Sequence, residues 1–333
     1  MAESAYRVLQ LGQESAFGTS VAATTIFPCD PGSGEFELDR SAESPDEDYG
    51  VAVRHQAGRG SFGVRAATGS LSFVMRFEDL MHPLQMTLGT PVITAGTPTT
   101  YTFTGDTTSS TVKPYTIEVA DDTQDWKVTS VLCTQLDMSF DALTAPGNAM
   151  WTASATLQGI DKAKATATSS LSAPSALESM EGHLTTLALG PVGTAFASLA
   201  ELSCSLKSLS ISISDPKPLR VYGGTADKAT AAGRQKREVT FEAQLKASAT
   251  TVAEFDIFNV AGGLPTDRRW RVTIDGSGDN SMTIDARVRY TAFNVEPDVD
   301  GERLFHVTGY AVYDSTLASD IEITLKNDVT EIP

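Results

Sequence analysis

Four histidines, His55, His82, His183 and His306, are the side chains best placed to exchange protons near neutral pH, so a general-base mechanism would rest on them. None stands in an HExxH, HxH or similar arrangement, and each reads as a satisfied surface or core residue. Carboxylates gather at Asp121-Asp122 with Asp125, and at Asp275, Asp279 and Asp285. Glu296-Pro297-Asp298-Val299-Asp300-Gly301 comes closest to a calcium loop, but no set has the Asp-x-Asp-x-Asp-Gly spacing with a distant Glu. Hairpin tips explain them better, because Asp and Gly suit turns. Gly58-Arg59-Gly60 and Gly262-Gly263 likewise read as turns, and there is no GxSxG elbow, Walker loop or GxGxxG. Cys29, Cys133 and Cys204 form no CxxC pair, which suggests neither a zinc site nor a disulfide framework but reduced, buried thiols. These residues predict no catalytic site, no metal and no cofactor.

Recognition chemistry is denser than catalytic chemistry. A long polar loop, residues 41–68, carries Asp46, Glu47 and Asp48 near its start, Arg54, Arg59 and Arg65 later, and Tyr49 and Phe62 among them. A second loop, residues 215–236, carries Lys217, Arg220, Tyr222 and Arg234. Acidic and basic ends on one arm suit complementary ends on a neighbour, and Tyr and Arg are common interface anchors. A solvated loop whose charges pair with one another is the alternative. Loops of this length inside compact domains are usually functional or disordered, which favours an assembly arm.

The elements around these loops are strands. Thr, Ser, Val and Ala fill short alternating stretches, and long helical patterns are nearly absent, so the fold class is all-β with one short helix per repeat. The chain matches itself. Gly18-Thr19 and Gly193-Thr194 stand 175 positions apart, as do Cys29 and Cys204, and Glu35-Phe36-Glu37-Leu38 falls on Ser210-Ile211-Ser212-Ile213. Each half then has its polar loop, an alternating strand (residues 70–77 and 238–245) and a helix-like segment (residues 78–89 and 249–261). The helix segments have acidic Glu78-Asp79 and Glu254 near their starts and Gly at their ends, and Pro83 is tolerated only in a first turn. Three strands close each half: residues 115–119, 136–140 and 151–157 correspond to 270–274, 287–293 and 305–312, with Phe140 set on Phe293.

Two tandem domains follow, 1–161 and 179–333, joined by the Ala/Ser/Thr-rich linker 162–178. The length of 333 residues suits two units, and the formal net charge of -17 argues against gripping nucleic acid through its phosphates. The N-terminus lacks a basic region followed by an apolar core, and no run of 18 apolar residues occurs, so synthesis and folding in the cytoplasm without a membrane span are expected.

Residues 10–24, Gln10-Leu11-Gly12-Gln13-Glu14-Ser15-Ala16-Phe17-Gly18-Thr19-Ser20-Val21-Ala22-Ala23-Thr24, resemble the N-terminal signature of tail tube proteins from long, non-contractile phage tails: Gly-x-Glu, then Gly-Thr and Val-Ala-Ala-Thr. The acidic Ser-Pro loop and the closing Val307-Thr308-Gly309-Tyr310 strand fit the same group. The resemblance implies tail-tube-type β-sandwich or barrel domains whose strands join those of neighbours into rings, stacked into a tube that conducts double-stranded DNA at ejection. Single-unit members form hexamers, so a duplicated chain implies a trimeric, pseudo-hexameric ring. Implied partners are the chain itself and other tail proteins such as the tape measure, tail terminator and distal tail proteins. Its implied location is the virion tail, after synthesis in the host bacterial cytoplasm. A tandem β-sandwich binding module, either a carbohydrate-binding or adhesin protein or a phage decoration protein, is the alternative. An enzyme of the β-sandwich hydrolase kind is a third reading.

Overall fold

A computed structural model describes residues 7–39, 42–43, 61–62, 65–105, 112–121, 123–142, 149–172, 177–202, 205–221, 228–259, 267–296 and 302–329. In the first half, β1 (Arg7–Gln13), β2 (Thr25–Phe27) and β3 (Phe36–Asp39) precede a short ribbon of β4 (Ala42–Glu43) and β5 (Ser61–Phe62). Then come β6 (Ala66–Val74), helix α1 (Met81–Leu88), a hairpin of β7 (Val92–Thr94) and β8 (Thr99–Thr104), β9 (Tyr115–Asp121), β10 (Trp126–Asp141), β11 (Thr152–Gly159) and β12 (Asp161–Lys164). The second half runs through β13 (Thr185–Pro191), β14 (Ala200–Glu201) and β15 (Leu206–Ser214) to a ribbon of β16 (Leu219–Arg220) and β17 (Ala231–Ala232). It continues with β18 (Glu238–Lys246), α2 (Ala249–Asn259), β19 (Asp267–Asp275), β20 (Ser281–Val295), β21 (Leu304–Val312) and β22 (Ile321–Asn327).

β10 and β20 organise the strands. The first residues of β10 pair with β9 on one side and β12 on the other, and its last residues pair with β11 and β15. The first residues of β20 pair with β19 and β22, and its last with β21. In both strands one residue is skipped where the partners change: Thr134, between Cys133 and Gln135, and Thr291, between Tyr290 and Ala292. A bulge of this kind bends its strand and sharpens the twist, so one long strand can serve two layers. Aligning the two bulges sets Leu136 against Phe293, whereas the sequence match sets Phe140 there, four residues on. Registers four residues apart share a period of two, so alternation alone does not choose between them.

The order β3-β6-β11-β10 continues through the β10–β15 pairing into β15-β18-β21-β20, giving one antiparallel sheet of eight strands. Across the molecule lie β2-β1-β9 against the start of β10, and β14-β13-β19 against the start of β20. β8 pairs with β22, so strands cross between the halves in both layers, and one hydrophobic core spans both. The linker region begins inside the sheet, with residues 162–164 in β12 paired to β10.

The helices pack on different strands, α1 against β8 and β10 and α2 against β20. All of α1 is buried, with Pro83 in its first turn and Gly89, at φ 102°, donating its N–H to Gln85 O. At the start of α2, Ser248 Oγ accepts the N–H of Thr251 and Thr251 Oγ1 accepts the N–H of Ser248, a reciprocal cap. Glu254 sits in the middle of α2, away from the helix start that sequence gave it, where it is buried against the Arg268 guanidinium. Phe255 and Phe258 face Tyr290, Phe293 and Phe305 with ring centroids 5.4–6.3 Å apart.

Candidate assembly surface

One face of the eight-stranded sheet closes the core and the other is polar. From β6 to β18 the central polar positions are Thr68, Ser70 and Ser72; Thr152, Ser154 and Thr156; Gln135, Asp137 and Ser139; Ser208, Ser210, Ser212 and Ser214; and Glu238, Thr240 and Glu242. Strict alternation puts them there, because Leu71, Ala155, Leu136, Ile211 and Phe241 between them are buried. These positions hold hydroxyls, amides and carboxylates, with neither Lys nor Arg. Cations stand at the margins and are neutralised there. Lys207 and Lys246 both grip Glu302, whose carboxyl their hydrogen bonds hold down at about 2. Arg287 and Arg289 both bond to Asp267, and His306 Nε2 lies 2.8 Å from Glu242.

The N-terminal signature proves to be an anchoring device. Glu14 is 1% exposed, and its Oε1 accepts the Thr116 hydroxyl at 2.7 Å and the Ser130 N–H at 2.8 Å. Its Oε2 accepts the Ser130 hydroxyl at 2.6 Å, and Ser130 Oγ in turn accepts the N–H of Gly18 at 2.6 Å. Gly18 takes φ 85° in the turn after β1, and Gly193 takes φ 104° in the turn after β13, a conformation that favours glycine. Gly-x-Glu and Gly-Thr are thus spaced to strap the segment after β1 onto β9 and β10.

The recognition residues divide. Asp46, Glu47, Asp48, Tyr49, Arg54, Arg59 and Tyr222 lie outside the described residues. Phe62 belongs to the ribbon at the base of the first loop, and Arg220 is exposed on the corresponding ribbon of the second. Arg65 and Lys228 bridge, and both meet Asp161 of β12, so the ends of the two loops converge. Lys217 and Arg234 are committed within the chain. Asp215 Oδ2 lies 3.0 Å from Lys217 Nζ and 2.7 Å from Arg234, and Nζ also donates to Thr87 O and Cys133 O. Lys217 is 2% exposed and Asp215 1%, so this cluster ties the end of α1, the bulge of β10 and the second loop together. Pro216 and Pro218 flanking Lys217 were the only sequence sign of a rigid, inward-turned segment.

The described residues among those that could do chemistry are spread over the fold. His82 is 3% exposed in α1, His183 is exposed beside Glu181, and His55 lies outside the described residues. Asp121 and Asp125 accept backbone N–H groups in the β9–β10 turn and beyond, Asp285 pairs with Arg271, and Asp275 and Asp279 belong to the β19–β20 hairpin. Residues 297–301 lie outside the described ones. Cys133 is buried, Cys29 half-buried, and Cys204 is not described. Trp151 and Trp270 are 0% and 1% exposed, and Trp126 lies under Lys162, whose Nζ is 4.6 Å from the ring centroid. Among the described residues no cluster of His, Cys, Asp or Glu could hold a metal ion, and no helix is long and apolar enough to cross a membrane.

The described residues thus form a two-layer antiparallel scaffold with a hydroxyl-rich face on its eight-stranded sheet and buried ion pairs that tie the chain to itself. The sequence model of the phage tail tube protein family matches residues 5–329, nearly the whole chain, and the chain belongs to that family. It is a non-enzymatic structural component of the phage virion tail, from a family whose members assemble with copies of themselves. No curated protein matches it.

Proposed function

We propose that the chain builds the tube of a long, non-contractile phage tail as stacked rings of three copies, with the hydroxyl and carboxylate face of the eight-stranded sheet lining the channel for double-stranded DNA. The central outward positions of β6, β11, β10, β15 and β18, from Thr68 to Glu242, hold no Lys or Arg, and Lys246 at the end of β18 is paired with Glu302; this carries the reading. Binding to DNA depends on Lys and Arg displacing counterions from phosphates, so a wall without them lets the duplex slide. Small Ser and Thr side chains also keep the wall smooth.

The trimer rests on a duplicated chain, residues 1–161 and 179–333, and the pairing scheme supports duplication. β10 with β9, β12 and β11 follows the same plan as β20 with β19, β22 and β21, and each half has a ribbon in its long loop. Leu9-Gln10-Leu11-Gly12 in β1 is matched by Leu187-Ala188-Leu189-Gly190 in β13. Three chains then present six such units around one axis. Asp46, Glu47, Asp48, Tyr49, Arg54, Arg59, Phe62 and Arg65, with Arg220 and Tyr222, reach between copies or between rings. The tape measure, tail terminator and distal tail proteins are the further partners of such a tube.

Electron microscopy of the purified protein and of phage carrying it tests both parts. Rings with three-fold symmetry are expected, and a protein that stays monomeric under all conditions overturns the proposal. The triple variant Glu238→Lys, Thr240→Lys, Glu242→Lys is expected to assemble yet retain duplex DNA at low salt, whereas the native tube does not. Equal DNA retention by both would remove the lumen assignment.

A further inference from the structure

The chain contains a joint that its two ends are shaped to repeat. Inside the chain, β15 lies antiparallel on the last residues of β10, from Gln135 opposite Ser214 to Asp141 opposite Ser208. Its inner-face residues Leu136, Met138, Ile211 and Ile213 are all 0% exposed. β15 backs onto β18 as β3 backs onto β6, and β20 carries the bulge that β10 carries. Yet among the described residues β3 pairs only with β6, and β20 beyond its bulge pairs only with β21. These are the two edges of the eight-stranded sheet.

Both edges show apolar side chains where the internal joint buries them. Carried over from the bulges, Met138 corresponds to Val295, which is 41% exposed, and Ile213 corresponds to Leu38, which is 43% exposed. The backbone is also set for a partner. Glu296 N–H donates to Leu304 O, so by the alternation of an antiparallel ladder the polar groups of Phe293 and Val295 point away from β21. On β3, Lys162 Nζ donates to Phe36 O at 2.7 Å, a lysine standing where a neighbouring strand's N–H would come. Lysine at a sheet edge is one way in which soluble chains restrain premature pairing.

We propose that β3 of one copy adds to the end of β20 of the next, antiparallel and in the register of the internal joint. Phe293 then stands opposite Leu38, Asn294 opposite Glu37, and Val295 opposite Phe36. The contact is head to tail, and because it repeats the geometry that already relates β15 to β10, it advances the polar face from copy to copy by the step built into each chain. The inference rests on the tube-forming reading and names the seam that reading requires.

Paired cysteines test the register. Asn294 and Glu37 are exposed on the polar face, so Asn294→Cys and Glu37→Cys leave the core intact, and directly opposed positions come within disulfide reach. Under mild oxidation the double variant is expected to give a ladder of covalently joined chains that neither single variant gives. The same samples are imaged. Rings or tubes without the ladder overturn the seam and leave the tube reading standing, whereas neither rings nor ladder overturns both. Independently, Leu38→Glu changes a side chain already exposed in the free chain and is expected to abolish rings with no fall in Tm. Undiminished rings from that variant would overturn the seam.

Discussion

Two buried groups three residues apart in sequence should titrate in opposite directions and hide one another. His82, buried in α1, has its imidazole lowered from 6.5 to about 4 by desolvation. Tyr115 Oη donates to Gln85 Oε1 at 2.6 Å, leaving the phenolic oxygen as acceptor for His82 Nδ1, 3.5 Å away, which suits a neutral ring. Asp79, 5% exposed, has its carboxyl raised from 3.8 to about 6, again by burial, with Arg76 at 3.6 Å offsetting only part of the effect. For His82 the unfolded chain binds the proton first, so stability falls as pH drops from about 6.5 to about 4. For Asp79 the folded chain binds it first, so stability rises as pH drops from about 6 to about 3.8. At about 1.4 kcal/mol per unit, each amounts to roughly 2.5–3 kcal/mol by pH 4, with opposite sign. Urea unfolding between pH 7.5 and 4 checks this with Asp79→Asn and His82→Gln. Relative to wild type, Asp79→Asn should lose about 2.5 kcal/mol on acidification and His82→Gln should gain a similar amount. Other groups titrate in all three proteins, so the differences isolate the pair. Three parallel curves would refute the reasoning.

Two further expectations concern packing. Asp215→Ala strands Lys217 and Arg234 without their counter-charge and should cost about 3–5 kcal/mol, whereas Lys217→Met leaves Asp215 paired with Arg234 and should cost less than half as much. With unfolding entropy near ~2.1 cal/mol/K per residue, the first variant should melt about 4–7 °C below wild type, and equal losses from both would show that the lysine carries the cluster. An Ala Cβ at Gly12 would lie 2.5 Å from the Ala22 carbonyl oxygen, but at Gly190 it would meet Leu199 Cδ2, a side-chain end that can turn away. Gly12→Ala should therefore cost about 2–3 kcal/mol and Gly190→Ala under about 1 in the same melts; the reverse order would contradict the assigned contacts.

Period and partner explain which features sequence could carry. Alternation marked β6 and β18 because Leu71 and Phe241 turn inward while Ser70 and Thr240 turn outward, a choice made within each strand. Gly89 marked the end of α1 because a left-handed position there favours glycine, again a local requirement. Glu14 and Lys217 were opaque for the opposite reason. Glu14 meets Ser130, and Lys217 meets Thr87 and Cys133, across long stretches of chain, and no local pattern records such a meeting. Lys217 therefore read as an interface residue when its charge is used to hold the chain together. The same reasoning separates the exposed apolar residues. Val92 and Ile93 lie on the short β7 of the hairpin, where apolar exposure is ordinary. Leu38 and Val295 stand at the two sheet edges, in the positions that Ile213 and Met138 fill at the internal joint. Their exposure follows from a ladder that stops short of its next strand, and a second copy supplies one.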